Sequence, residues 1–257
     1  MKNRRLKKGE RHHRIIAELR KSTAVRISIL AEAFGVTTET LRRDIKELSE
    51  QGLVDRTYGG AARSMTGEPA IWQRNLMMME ERDRIANQAA ALVEAGDVLM
   101  IDSGSTTVQF ARNLAVQRID LTVLTNCVLV ASILGENPSI RVILCPGEYT
   151  KQEECVVGLE TLHFLKRFHA NKAFIGAGGL TTEGVTEANT HASWIKRKII
   201  ERSDRTSLLI DHGKFNVHLL ELVCPLDDLK DVVADKAPDL PLYEALNSAS
   251  VNFHLAK

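Results

Sequence analysis

The chain has no long hydrophobic run. It is 257 residues long, 44% hydrophobic and 26% charged. No apolar stretch approaches the roughly 20 residues that a membrane-crossing helix needs, so no membrane association is expected. The basic start Met1-Lys2-Asn3-Arg4-Arg5 leads into no apolar segment, which argues against a secretory signal. Cysteine is scarce. Cys127, Cys145, Cys155 and Cys224 form no Cys-x-x-Cys pair and stand mostly in apolar surroundings, so reduced structural thiols, a cytoplasmic location and no metal site are expected. Internal repeats, low-complexity tracts and the Gly-x-x-x-x-Gly-Lys-Ser/Thr loop of nucleotide hydrolases are also missing. No cofactor is expected.

The overall charge of +1 conceals an asymmetry. Residues 1–64 hold 15 Lys and Arg against 8 Asp and Glu, and the remainder holds 19 against 25. A basic head on an acidic body suits a polyanionic partner, although an unevenly solvated surface reads the same way. The length fits one large or two modest domains.

Apolar spacing organises the head. Ile15, Ile16 and Leu19 mark a helix over 10–21, and Ser22 to Arg26 reads as a break. Ile27, Leu30, Ala31 and Phe34 mark a second helix, which Gly35-Val36 stops. Thr37 or Thr38 caps a third helix carrying Leu41, Ile45 and Leu48, with Gln51-Gly52 as its end. Leu53 to Tyr58 is strand-like and Gly59-Gly60-Ala61 is a turn. Two short helices joined through a glycine, then a two-stranded wing, make a winged helix-turn-helix.

The third helix, roughly 20 Å long, fits a major groove. Thr37, Thr38, Thr40, Arg42 and Arg43 offer hydroxyls and guanidinium groups to bases and phosphates, and Arg56, Tyr58, Gly59 and Gly60 form the wing contact. Arg4 to Arg14 adds attraction to phosphate. The bland alternative makes Arg42-Arg43 a solvated face paired with Asp44 and Glu47, and Gly59-Gly60 an ordinary hairpin turn.

Residues 62–83 read as a polar connection followed by a helix, with another helix over Ile85 to Glu94. Short apolar runs follow at 97–102, 121–124, 141–144, 172–175 and 207–210, with helical segments between several of them. That alternation gives an α/β domain with a largely parallel sheet. The expected division is a DNA-binding domain over 1–62, a linker over 63–75 and an α/β effector-sensing domain over 76–257. Residues 1–9 and 244–257 are expected to be poorly ordered.

After the first strand comes Asp102-Ser103-Gly104-Ser105-Thr106-Thr107, read as a loop before a helix at Val108. Backbone N–H groups, hydroxyls and the helix dipole there suit a phosphate, and a polar strand-to-helix turn is the bland alternative. Strand ends, where open α/β sheets gather ligands, add Thr125, Asn126, Gly147, Gly176 and Lys214. Glu187 is a weaker candidate for a sugar hydroxyl. His191 and Trp194 read as a helix-face histidine and a packing aromatic.

The run Leu30-Ala31-Glu32-Ala33-Phe34-Gly35-Val36-Thr37-Thr38-Glu39-Thr40-Leu41-Arg42-Arg43-Asp44-Ile45-Lys46-Glu47-Leu48 resembles the helix-turn-helix signature of the DeoR family of bacterial repressors. Arg56-Thr57-Tyr58-Gly59-Gly60-Ala61 resembles its wing motif, with Tyr58 where His is commoner. The resemblance runs from about residue 10 to 240. Asp102, Gly104, Ser105 and Thr106 match the family loop, and Asp211, Lys214 and Phe215 match its Asp-x-x-Lys-Phe motif. Pro146, Gly213, Asn171 and Ala234 depart from the usual pattern.

The resemblance implies a sensor domain similar to ribose-5-phosphate isomerase and glucosamine-6-phosphate deaminase folds, and a phosphorylated sugar or polyol effector. It implies a repressor of a carbohydrate-catabolism operon. A homo-oligomer, dimer or tetramer, is expected on operator DNA, because helix-turn-helix proteins match their symmetry to that of the site. An isomerase or deaminase with an appended DNA-binding domain is the alternative, with Lys214, Asp211 and Glu187 as able groups. No convincing acid–base pair supports it, and no catalytic residue is assigned. A constitutive architectural DNA-binding protein is the third reading.

Overall fold

The computed structural model describes residues 6, 8–21, 24–50, 54–63, 71–117 and 120–257. The chain divides into two compact units, residues 1–69 and 70–257.

The first unit runs α1 (Lys8–Lys21), β1 (Ala24–Arg26), α2 (Ile27–Phe34), α3 (Thr38–Glu50), β2 (Val54–Thr57) and β3 (Gly60–Arg63). Its core joins Ile15 and Leu19 of α1, Leu30 and Phe34 of α2, and Leu41, Ile45 and Leu48 of α3. Gly35 ends α2 in the left-handed region at φ 63°, a conformation that is inexpensive for glycine. The stretch 22–26 is more than a break: β1 pairs antiparallel with β3, so the wing sheet has three strands in the order β1-β3-β2. Three residues are too few for an alternation pattern to reveal. The helix stop at Gln51-Gly52 and most of the expected linker lie outside the described residues.

The second unit opens with α4 (Ile71–Arg74) and α5 (Met79–Ala90). Although 71–75 reads as linker, Ile71 is fully buried in this unit's core. Then come β4 (Val98–Ile101), α6 (Ser105–Ala115), β5 (Leu121–Thr125), α7 (Val128–Gly135) and β6 (Ile140–Leu144). A hairpin, β7 (Glu148–Thr150) and β8 (Cys155–Val157), leads to α8 (Leu159–Leu165) and β9 (Ala170–Ile175). Next are β10 (Gly179–Thr181), β11 (Gly184–Glu187), α9 (Thr190–Glu201) and β12 (Ser203–Ile210). The chain closes with β13 (Glu221–Cys224), β14 (Asp231–Ala234), α10 (Leu240–Ser248) and β15 (Asn252–Leu255).

Seven strands form one wholly parallel sheet in the order β15-β14-β12-β9-β4-β5-β6. Buried apolar clusters cover both of its faces, which explains strands that read as continuous apolar runs. From β4 the chain winds outward through β5 and β6, then returns to place β9 on the other side. The topological switch point therefore lies between β4 and β9. Two small antiparallel elements stand outside this sheet, the β7–β8 hairpin and the sheet β10-β11-β13. No helix among the described residues is long and apolar enough to cross a membrane.

The C-terminus corrects the expectation of disorder over 244–257. β15 is the edge strand of the main sheet and pairs with β14 from Asn252 to Leu255. A buried carboxylate holds it. Asp231 accepts from Arg205 Nε and Nη2 at 2.6 and 2.8 Å and pairs with His254 Nε2 at 2.8 Å, so one side chain ties β12, β14 and β15. Burial alone would raise the Asp231 carboxyl, but the Arg205 and His254 bonds outweigh it and bring the group from 3.8 to about 2.

A depressed folded-state pKa stabilises the fold above the unfolded value and is lost as pH falls through the folded one. Asp231→Asn is accordingly expected to cost about 2 kcal/mol at neutral pH. It should also flatten the decline in stability between pH 4 and pH 2. Denaturant titrations of both proteins across that range check this, and an unchanged acid limb would remove Asp231 from the account.

Candidate functional site

Two candidate sites arise, one in each unit. In the first, the N-terminus of α3 is exposed. Thr40 N–H donates to Thr37 Oγ1 at 3.2 Å, and the two hydroxyls lie 2.9 Å apart. Thr37 thus caps α3, as its residue type suits. Arg42 and Arg43 project outward with side chains 63% and 80% exposed, and Glu39 lies 3.6 and 3.5 Å from them. Glu39 steadies both guanidinium groups without covering them.

Asp44 does not pair with the two arginines. It is buried and accepts from Arg11 Nε at 2.7 Å and Nη2 at 3.0 Å, with His12 at 3.2 Å. Burial would raise its carboxyl, yet these partners hold it below its ordinary range. Arg11 therefore fixes α1 against α3, and the expectation that it attracts phosphate is corrected.

The wing tip follows from backbone constraint. Gly59 takes φ 80°, and Ile27 N–H donates to its carbonyl at 3.0 Å. A Cβ on Gly60 would sit 2.3 Å from the Val25 carbonyl oxygen, so only glycine lets β3 approach β1 this closely. Tyr58 is fully exposed at the tip. Ile27, Arg42, Ile45, Arg56, Tyr58 and Gly59 line a notch of about 380 Å³ between α3 and the wing. Of the residues expected to contact DNA, Arg42, Arg56 and Tyr58 meet at this notch, and Arg43 and Thr38 lie exposed on α3. Gly59 and Gly60 shape the turn.

The second site lies at the switch point. Asp102 follows β4 and is 1% exposed. Gly176 N–H, just after β9, donates to its Oδ1 at 3.1 Å. Lys196 of α9, 5% exposed, lies 2.8 Å from Asp102 Oδ2 and 3.3 Å from Glu187 Oε2. Burial alone would lower the Lys196 ammonium, but the two carboxylates raise it above the ordinary lysine range. Lys196 is thus a fixed buried cation that joins β4, β11 and α9.

Asp102, Ser103, Asn126, Glu153, Cys155 and Lys196 are among the residues lining a cleft of about 50 Å³, with Asn189 and His191 on its α9 side. Asn126 Nδ2 donates to the Val156 carbonyl at 3.1 Å. Its Oδ1 is buried with no hydrogen-bond partner among the described residues, an acceptor a ligand hydroxyl would satisfy. The cleft-lining Ser103 stands two residues before α6, whose first turn is not itself part of the lining. The helix begins at Ser105, earlier than Val108, so Ser105, Thr106 and Thr107 form its buried first turn.

Other expected site residues have different work. The Thr107 hydroxyl reaches the carbonyls of Asp102 and Gly104 at 3.0 and 2.9 Å, which sets the turn. Thr125 Oγ1 accepts from Cys127 N–H at 3.0 Å. Gly147 does not line the cleft: at φ 151° it packs where a Cβ would lie 2.2 Å from Thr161 Oγ1. Lys214 Nζ donates to the Ala177 carbonyl and is absent from the lining. Asp211 lies 3.6 Å from the buried Arg82 of α5. Glu187 meets the cleft only through Lys196.

Sequence reasoning missed Lys196, Asn189, Glu153 and the cleft placement of His191. A lysine inside an amphipathic helix resembles any solvated lysine. The available hint was its spacing from Ser193 and Ile199 on one buried stripe of α9. No cluster of His, Cys, Asp and Glu fit to hold a metal occurs among the described residues.

Removing Lys196 tests the cluster. Lys196→Met leaves two carboxylates buried without their cation and is expected to cost about 3–5 kcal/mol. Adding Glu187→Gln and Asp102→Asn should restore much of that loss in a thermal melt. A single variant as stable as the parent would show that the cluster contributes little.

Residues 11–66 match the DeoR-like helix-turn-helix domain and residues 77–236 match the DeoR C terminal sensor domain. The glycerol-3-phosphate regulon repressor of Escherichia coli (strain K12) is 31% identical over 252 residues, covering 97% of this chain and all of that protein. The HTH-type transcriptional regulator IolR of Bacillus subtilis (strain 168) is 30% identical over 234 residues, covering 90% and 93%. Among solved structures, ribose 5-phosphate isomerase A from Methanocaldococcus jannaschii aligns over 54% of this chain and 55% of its own, at 15% identity and a TM-score of 0.41. With both domain types matched in order and full-length relatives aligned nearly end to end, the chain belongs to the DeoR family.

Proposed function

We propose that the protein is a sequence-specific repressor of a carbohydrate-catabolism operon, released from its operator by a phosphorylated sugar or polyol bound in the second unit. The observation that carries the DNA half is the α3 face. Arg42 and Arg43 stand exposed beside a wing that presents Arg56 and Tyr58. Arginine in a major groove grips guanine bidentately, and flanking cations and hydroxyls bind phosphate and fix the register. The relatives named as regulators and repressors support the same reading.

The effector half rests on the switch-point cleft. The α6 N-terminus offers N–H groups and hydroxyls to a phosphate, while Asn126 and the Asp102–Lys196 pair offer polar partners to hydroxyl groups. At about 50 Å³ the cleft has room for a few waters, below the roughly 300 Å³ at which small-molecule pockets begin. A sugar phosphate enters only as the walls part.

One wall of the cleft is the β7–β8 hairpin, which stands outside the main sheet. It carries Glu153 into the cleft and is tied to α4. Arg74 Nη1 donates to Glu153 Oε1 at 3.3 Å, and Ile71 N–H donates to the Gln152 carbonyl at 2.9 Å. The hairpin is thereby joined to α4, the first described element of the second unit. An effector works by differential affinity for the two arrangements.

The same cluster argues against an enzyme. A lysine nucleophile must be neutral and a carboxylate base must be free, whereas Lys196 is held charged between Asp102 and Glu187. Purified protein is expected to leave ribose 5-phosphate and glucosamine 6-phosphate unchanged.

Gel shifts on DNA from the upstream region of the protein's own gene, at fixed salt, test the reading. Arg43→Ala should weaken specific binding by about 1–3 kcal/mol, and unchanged affinity would take Arg43 out of the interface. A panel headed by glycerol 3-phosphate should contain one compound that releases the DNA. Arg74→Gln should keep that compound's binding, read by calorimetry, while raising the concentration needed for release. Release at the parent's concentration would show that the signal takes another route.

A further inference from the structure

We infer that Cys127 and Cys155 are an oxidation site, a thiol pair that a peroxide converts to a disulfide across the wall of the switch-point cleft. The two residues are direct partners in an isolated antiparallel bridge that joins the β5–α7 turn to the start of β8. The flanking hydrogen bonds define the type of pair. Val128 N–H donates to the Glu154 carbonyl at 2.9 Å, and Val156 N–H donates to the Asn126 carbonyl at 2.8 Å. Cys127 and Cys155 themselves exchange no backbone bond, so they form the close, non-hydrogen-bonded kind of antiparallel pair, with Cα atoms about 4.5 Å apart and side chains on one face. That separation lies within the range a disulfide spans.

The two sulfurs differ in access. Cys155 lines the cleft, and Ser103 is hydrogen-bonded to it. Cys127 is fully buried behind it. It occupies the N-cap of α7, where the N–H groups of Val130 and Leu129 face its sulfur. The geometry thus supplies one thiol that meets a small oxidant and a second that resolves the product. In the first step Cys155 reduces hydrogen peroxide: an S–O bond forms, the O–O bond breaks, and water leaves with the thiol proton. In the second, Cys127 attacks the sulfenic sulfur, the S–S bond forms, and a second water leaves with the Cys127 proton. Two thiols and one peroxide give one disulfide and two waters.

Burial pushes the Cys127 thiol up to about 12 and raises that of Cys155. Little thiolate is present in either case, so the first step is slow and calls for excess peroxide. Cys145 and Cys224 are buried as well, but neither forms a backbone bridge with another cysteine among the described residues. The inference does not depend on the identity of the effector.

The test uses the full-length protein. Reduced protein is incubated with excess hydrogen peroxide, then denatured, alkylated and mapped by mass spectrometry under non-reducing conditions. The expected result is loss of two of the four thiols, a linked peptide pair containing Cys127 and Cys155, and recovery of both thiols with dithiothreitol. The Cys145→Ser/Cys224→Ser protein should form the same link. Four thiols still alkylated, sulfinic or sulfonic acid on Cys155 without a link, or a link that uses Cys145 or Cys224 would each overturn the assignment.

Discussion

One buried ion cluster holds the second unit's functional end together. A parallel sheet leaves a crevice wherever its strand order reverses, and here that reversal falls between β4 and β9. Asp102 bridges it by accepting the Gly176 N–H on one side and meeting Lys196 on the other. Lys196 reaches on to Glu187, so two strand ends, a small antiparallel sheet and α9 converge on a single cation. Desolvating such groups costs several kcal/mol per ion, so the arrangement gives specific placement more than net stability.

The DNA-binding unit uses the same device in miniature. Asp44 is buried on α3, and Arg11 reaches across from α1 to satisfy it. That pair sets how α1 lies on α3 and so helps define which face of α3 remains outward. Arg42 and Arg43 immediately precede Asp44 in the chain, yet they point to solvent because Leu41, Ile45 and Leu48 occupy the core face. At α3 spacing, the charged residues on one short helix serve two purposes. The buried one fixes the helix, and the exposed ones are free to meet a partner.

The sequence was most readable where the pattern is local. The helices of the first unit follow from apolar spacing, with Gly35 and Thr37 as stop and start, and the wing follows from Gly59-Gly60. Five of the seven parallel strands were visible as apolar runs, and β14 and β15 were not. What stayed hidden was tertiary. β1 is three residues long and depends on β3 for its pairing, and β15 depends on Asp231 holding His254 and Arg205. Lys196 was illegible for the same reason: its burial comes from partners 94 and 9 residues away in sequence, at Asp102 and Glu187. Conversely, Lys214 and Thr107 carried the right chemistry for an anion, but backbone carbonyls accept from both.

The smallness of the cleft bears on the direction of control. A ligand stabilises whichever arrangement binds it better, by as much as its two affinities differ. On the proposed reading the arrangement described here, with a cleft of about 50 Å³, is the weakly binding one, and an effector would draw the population toward an open form. The β7–β8 hairpin carries Glu153, whose partner Arg74 lies at the start of the second unit. If the closed form is the one that grips an operator, the consequence is release on binding, which is the logic of induction.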